Sequence, residues 1–549
     1  MPSAVLKLDP RDNVLIALSD LSRGQQVAFN EEVYELATDV PAKHKFSTAE
    51  LGPGDKVIMY GVLVGEAMKP IRRGEAITPL NVHHQAAAFH EKLRDVRATP
   101  PDVSKWRSRT FLGYRRADGQ AGTRNYWLVV PLVFCENRNI AVLKQAFEEE
   151  LGFAAPQIYR RQVAEFVRLY REGREREIGA YESAQPRASV NGATVFKHVD
   201  GVKFLTHEQG CGGTREDARN LCGLIAGYIH HPNVAGATVL SLGCQHSQTD
   251  VLREEIGKRD ANLAKPVFYL EQQRAESEFA MLSTAVRDTF LALVEADKLR
   301  REAVPLSQVC LGLKCGGSDG FSGISGNPAI GHTADVVNAL GGRAILSEFP
   351  ELCGVEQELI DRSVSKEVGD RFIQLMRDYA ARAKAVRSGF DMNPSPGNIR
   401  DGLVTDAMKS AGAAKKGGTS PVTAVLDYPE YSTTPGLNLQ CTPGSDVECV
   451  SAQVGAGANV VLFTTGLGTP TGNPIAPVVK ISTNSELARR MSDIIDIDTG
   501  AVIAGERTIG EMGEEILDFV IRVANGEIKT KAELLAQDDF IPWKRGVSL

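Results

Sequence analysis

Apolar runs alternate with polar, glycine-rich loops along most of this chain. The clearest case is Ser307–Pro328, SQVCLGLKCGGSDGFSGISGNP. The run from Val309 to Leu313 reads as a buried strand ending at Lys314-Cys315. It opens into a loop of Gly316, Gly317, Ser318, Asp319, Gly320, Ser322, Gly323, Gly326 and Asn327, and Pro328 then starts a helix. Four other runs end alike. NYWLVVPLVF leads to Cys135, VKFL to Thr206-His207-Glu208-Gln209-Gly210-Cys211, ATVLSL to Gly243-Cys244-Gln245-His246, and NVVLF to Thr464-Thr465-Gly466-Leu467-Gly468. One such loop would be read as a tight turn. Five of them, bringing Cys, His, Thr or Gly to one rim, match an α/β site, where ligands sit at the carboxyl ends of parallel strands.

The same pattern divides the chain. Residues 1–88 show short alternating strands broken by turns, a small β domain. Residues 89–110, with Pro100-Pro101, read as a polar linker. Residues 111–298 and 299–549 alternate strand and helix patterns, which predicts βαβ units and two α/β domains with mainly parallel sheets. Residues 156–181, rich in Arg and Glu, read as a charged surface helix.

Composition narrows the function. A net charge of −7 with no basic stripe argues against nucleic acid. No apolar run approaches the roughly 18 residues of a membrane helix, and the start lacks a secretory pattern. Nine cysteines without an export signal read as reduced thiols in a cytoplasmic protein. There is no GxGxxG after a first strand, no GxxxxGK[ST] and no GxSxG, so hydride transfer, nucleotide hydrolysis and esterase chemistry lack support. Cys135, Cys211, Cys244 and Cys315 all fall at strand ends. Thiolates favour iron or zinc, and the wide spacing is unlike a zinc knuckle. The alternative is simple packing, which is the reading for Cys222 and Cys310. His44, His83 and His84 read as surface or packing residues.

YRRADGQAGTRN, HEQGCGG, SLGCQHSQ, LKCGGSDGFSGISGNP, NPSPGN, TPGLNL, TTGLGTP and VKISTNSELA resemble, in order, the motif series of the altronate/galactarate dehydratases. TPGLNL and SEFPE lean to the altronate branch. The N-terminal part, with DNV, HKF and YGVLVGEAMKPIRRGE, resembles that family's SAF domain, a small β-clip. The chain departs from the family twice. Thr78-Pro79-Leu80-Asn81 replaces an H-x-H-N string, with His83 and His84 just after it, and Leu467 replaces an Arg. Both bear on substrate identity more than on reaction type.

The resemblance implies an α/β enzyme of three domains, with the active site largely in the second and third. It implies a hydro-lyase taking a 2,3-dihydroxy sugar acid to a 2-keto-3-deoxy acid. A divalent metal is expected, Fe²⁺ favoured over Mn²⁺, with an iron–sulfur cluster left open. On this reading Cys135, Cys211, Cys244 and Cys315 are candidate metal ligands. His207 is the first candidate base and Lys480 the second; Asp319 or Glu348 is the acid or a metal ligand. Arg116, Arg124, Ser318, Asn327 and Thr465 would hold the carboxylate and hydroxyls. The expected partner is a small sugar acid, and a homodimer is expected. The rival readings are an aldarate dehydratase, a hydroxy-sulfonate sulfo-lyase and a non-catalytic sugar-acid sensor.

Overall fold

The computed structural model describes residues 4–96, 98–155, 157–181 and 194–548. Part of the long segment around 155–195 therefore lies outside the described residues.

The N-terminal part is antiparallel. Val5–Leu6, Val14–Ala17 and Lys45–Ser47 form one small sheet, Gln26–Phe29 and Glu32–Glu35 a hairpin, and Lys56–Met59, Val62–Ala67 and Val82–His83 another sheet. Along Lys56–Met59 alternation buries one face, with Val57 and Met59 buried and Lys56 exposed, whereas Val14–Ala17 and Lys45–Ser47 are buried throughout. The core they form is not self-contained. Val14, Ile16, Val57, Met59 and Val64 pack with Phe321, Ile324, Val404, Ala407 and Met408 from the C-terminal part.

The predicted polar linker is in fact tied down. Leu93 N donates to Asp361 Oδ1 at 3.0 Å, Lys92 Nζ reaches the Asp361 and Ser363 carbonyls, and Trp106 is fully buried. Beyond it, Thr110–Arg115 pairs antiparallel with Glu302–Pro305, joining the start and the end of the middle region.

Two parallel sheets follow. The first has the order Gly201–Phe204, Tyr126–Pro131, Val234–Ser241, Val267–Glu271. The second has seven strands: Val422–Leu426, Gly436–Gln440, Arg343–Leu346, Cys310–Cys315, Val460–Thr465, Val478–Ser482 and Ile497–Asp498. The strands beside the switch points are buried throughout because helices cover both faces; Tyr126–Pro131 and Cys310–Cys315 bury every residue, Lys314 included. Helices Arg215–His230 and Asp446–Gly455 bring the two α/β parts together. A Cβ on Gly227 would sit 2.0 Å from the Gly455 carbonyl oxygen, so this contact requires glycine.

In both sheets the first strand lies inside. The chain builds outward on one side of it and then returns to the other. Each such reversal leaves a crevice at the carboxyl ends of the strands. One lies beside Tyr126–Pro131, the other beside Cys310–Cys315.

Candidate active site and metal site

At the first crevice three loops are knotted together. Phe134 N donates to the Gln209 carbonyl at 3.0 Å and His246 N to the Gly210 carbonyl at 3.0 Å. Ser247 Oγ donates to the Gly210 carbonyl at 3.1 Å and also reaches the Leu132 carbonyl. Gly210 adopts φ +99°, and a Cβ there would meet the Leu132 oxygen at 2.2 Å. These loops present Cys135, Cys211 and Cys244, all exposed. Burial raises the Cys135 pKa, and the nearby Cys211 and Cys244 thiols raise it further, so the three sulfurs share one neighbourhood. Gln273 Nε2 donates to Cys244 Sγ at 3.2 Å.

Cys315 is not part of this group. Its sulfur accepts from Ser318 Oγ and from Lys416 Nζ, each at 3.2 Å, in the other sheet. The expected four-cysteine site is therefore a three-thiol rim plus one separate thiol. Cys315 follows a different strand, and different loops surround it.

His207 does not have the freedom of a base. Its Nε2 donates to the Pro131 carbonyl at 2.8 Å, and its Nδ1 accepts from Gln209 N at 3.1 Å. Burial pushes its pKa down to about 4. The ring is a neutral strut that shapes the loop before Cys211.

The second crevice holds buried charge. Glu348, with no exposed surface, touches both Lys314 and Lys416, which are equally buried. Burial alone would depress the Lys314 ammonium, but Glu348 and Asp446 outweigh it and hold it well above its usual value. Lys416 is raised too, burial being offset by Cys315 and Glu348. Asp446 lies 3.0 Å from Lys314 Nζ. Next to this, Glu351 pairs with Lys409 at 2.8 Å. Burial would raise Glu351, yet Lys409, Lys314 and Lys416 bring it down to about 2. Glu348 also sits at φ +66°, a left-handed backbone that costs a non-glycine residue about 1–3 kcal/mol and is found most often at functional sites.

The N-terminal β part reaches this crevice. Lys43 Nζ bridges Asp319 and Asp401, each at 3.1 Å, and Lys45 Nζ donates to the Gly402 carbonyl at 2.7 Å. Burial brings the Lys45 pKa down to about 7, with Asp319 acting against it.

Several other expected site residues are fully engaged elsewhere. Asp319 accepts from Phe321 N, Ser322 Oγ and Thr483 Oγ1 besides its ion pair, which makes it an anchor rather than an acid. Asn327 donates to the Gly412 carbonyl at 3.0 Å and accepts from Thr464 Oγ1 at 2.6 Å. Thr465 Oγ1 accepts from Gly468 N and Thr469 N, which fixes that loop. Arg116 spends its donors on the Pro232 and Arg124 carbonyls and Asn125 Oδ1. Arg124 forks onto both oxygens of Glu533 and binds the Thr123 and Val523 carbonyls. Both arginines lie at the entry of strand Tyr126–Pro131, opposite the rim, so neither binds substrate there. Lys480 is buried and donates to Gln537 Oε1 at 3.1 Å; burial lowers its pKa to about 8. Ser318 and Glu348 are the expected residues that do meet at the second crevice with Cys315.

Lys314, Lys409, Lys416 and Glu351 were not singled out from the sequence. The one local signal was a lysine ending an apolar strand just before Cys315.

Family models match three stretches: an altronate/galactarate dehydratase SAF domain over residues 3–85, a D-galactarate dehydratase/altronate hydrolase second domain over 113–297, and a D-galactarate/altronate dehydratase C-terminal domain over 306–548. Altronate dehydratase of Bacillus subtilis is 33% identical over 95% of this chain and 95% of its own. Altronate dehydratase of Escherichia coli K12 is 32% identical over 99% of both. Galactarate dehydratase (L-threo-forming) of the same strain is 29% identical over 96% of this chain and 93% of its own. Taken with the two α/β crevices and the SAF-type β part, these matches show that the chain belongs to the altronate/galactarate dehydratase family and is an enzyme of the hydro-lyase class.

Proposed function

We propose that this protein dehydrates an altronate-like hexonate to the 2-keto-3-deoxy acid, with a divalent metal bound. The observation that carries the reading is Glu348 buried between Lys314 and Lys416 at the switch point of the seven-stranded sheet. Dehydration begins with loss of the proton beside the carboxylate, and negative charge then builds on the carboxylate oxygens. Two fixed, buried ammoniums stabilise that charge without reorganising. As the substrate carboxylate takes a share of Lys314 and Lys416, Glu348 is the carboxylate placed between them to accept the proton. Ser318 and Cys315 stand beside Lys416 to orient the hydroxyls.

The metal fits the three-thiol rim better than the charged cluster. Cys315, Glu348 and Glu351 offer ligand atoms within 4.8 Å of one another, but three lysines already neutralise them and would repel a cation. Cys135, Cys211 and Cys244 are exposed thiols, and soft thiolates suit iron, singly or in a cluster, over manganese. Iron held there would supply Lewis acidity toward an oxygen ligand. We further propose three domains with the boundaries expected above, a cytoplasmic homodimer, and a small sugar-acid substrate with no nucleic-acid or membrane partner. Among the described residues no helix is long and apolar enough to cross a membrane.

The test is turnover. Protein purified anaerobically with Fe²⁺ is assayed on a panel of aldonic and aldaric acids for 2-keto-3-deoxy product, with turnover on a hexonate expected. Glu348→Gln should lower kcat about 10²–10⁴-fold while leaving bound iron unchanged. No turnover on any acid with iron bound overturns the proposal.

A further inference from the structure

We propose that His84, Cys353 and Asp406 form a separate cation site, for a zinc-type divalent ion, that clips the N-terminal β part onto the C-terminal sheet. These residues come from three distant segments. His84 follows strand Val82–His83, Cys353 follows the turn Phe349–Leu352, and Asp406 opens helix Asp406–Ala413. One ring nitrogen, the sulfur and one carboxylate oxygen all lie within 4.8 Å of one another.

The second observation is Asp406 itself. It is 1% exposed, yet apart from the adjacent Cys353 thiol neither carboxylate oxygen has a hydrogen-bond partner among the described residues. Burying a polar group without a partner is costly, and for a carboxylate especially so. The backbone donors at this helix start are taken: Thr405 Oγ1 accepts from Met408 N and His84 Nδ1 from Ala407 N at 3.3 Å. Burial pushes the Asp406 carboxyl up to about 9, with Glu351 adding to the rise, and the Cys353 thiol lies against it. The charged groups facing the site are mostly negative. Glu356 faces both Cys353 and Asp406, Glu351 faces Asp406, and Asp391 faces His84 and Cys353. Lys409, an ammonium near Asp406, is turned to Glu351 and Asn393. A cation supplies what this surrounding lacks.

The donor set names the ion. One imidazole, one thiolate and one carboxylate, with a fourth position open, is a zinc-type arrangement. Bonds of about 2.0–2.3 Å need only small inward shifts from the present spacing. The segments are already packed side by side: a Cβ on Gly354 would lie 3.2 Å from Ala407 Cβ and 3.4 Å from Ala86 Cβ. No electrons move on binding. The Cys353 thiol and the Asp406 carboxyl each release one proton, and His84 offers a ring lone pair by giving up the bond its Nδ1 accepts from Ala407 N, so one Zn²⁺ enters as two protons leave.

The experiment uses full-length, chelator-treated protein under anaerobic conditions. The rim thiols are removed by C135A/C211A/C244A so that only this site can report. Zn²⁺ should bind at one equivalent, release about two protons near neutral pH, and raise the thermal midpoint. Co²⁺ should give a thiolate-to-cobalt charge-transfer band. Cys353→Ala should abolish the band, and His84→Gln, at a half-buried position, should weaken binding at least tenfold while the protein stays folded. Failure of the triple variant to bind Zn²⁺, or binding that neither substitution disturbs, overturns the site. The proton count needs no substitution at the site itself, so a Cys353 variant that fails to fold leaves the test intact.

Discussion

Replacing Lys416 with Met tests the buried charge cluster directly. Lys416 is 1% exposed and Glu348 has no exposed surface, so water cannot compensate for a lost partner. The substitution leaves Glu348 with Lys314 alone and removes the 3.2 Å donor to Cys315. Breaking a buried ion pair from one side costs about 3–5 kcal/mol. Lys314 also serves Asp446 at 3.0 Å, so it takes up only part of the loss, and about 3 kcal/mol is expected. Glu348→Gln should cost a similar amount, because it leaves two ammoniums without their shared counter-ion. The double variant removes both charges of the pair and should cost less than the sum, with a coupling of roughly 2 kcal/mol or more. The assay is native-state hydrogen exchange of the Cys310–Cys315 amides, read beside the urea transition, since a chain of several parts need not unfold in one step. Single effects that add to within about 0.5 kcal/mol would refute the pairing.

Other expectations follow from the first crevice and the packing. His207 is neutral when folded, at about 4 against an unfolded value of about 6.5, so its contribution is complete above pH 6.5 and is lost as pH falls through 4. That is at most roughly 3 kcal/mol, and His207→Gln should flatten the fall in thermal midpoint over this window; parallel profiles would exclude it. Gly210→Ala, whose Cβ would meet the Leu132 oxygen at 2.2 Å, should distort the Cys211 loop and lower iron content measured by metal analysis. Cys135→Ser should likewise lower bound iron whereas Cys315→Ser should not; equal losses would restore a shared four-thiol site. Gly227→Ala, meeting the Gly455 oxygen at 2.0 Å, should destabilise by about 1–3 kcal/mol in thermal or urea unfolding, through overpacking between the two α/β parts.

Much of the architecture could be read from the order of residues. Period-two alternation announced the N-terminal strands, and fully apolar runs such as NYWLVV and CLGLKC announced parallel strands covered on both faces. Glycine clusters after those runs marked the two crevices, because only glycine allows backbones to approach as Gly210 and Leu132 do. The three exposed thiols were legible for the same reason: each stands where a strand ends.

Which side chains meet, and whether their donors are free, was decided by the tertiary structure. Arg116, Arg124 and His207 have the right chemistry for binding or proton transfer, but each is spent on backbone carbonyls or on Glu533 brought from far along the chain. Conversely, Lys416, Glu348 and Lys314 lie up to 102 positions apart and acquire meaning only when the strand order sets them around one buried point. Local sequence dictates the period of burial and the chemistry of loops. Electrostatic pairing in a water-free interior depends on distances of a few ångströms between segments that sequence order does not relate, and those distances arise only when the sheets close.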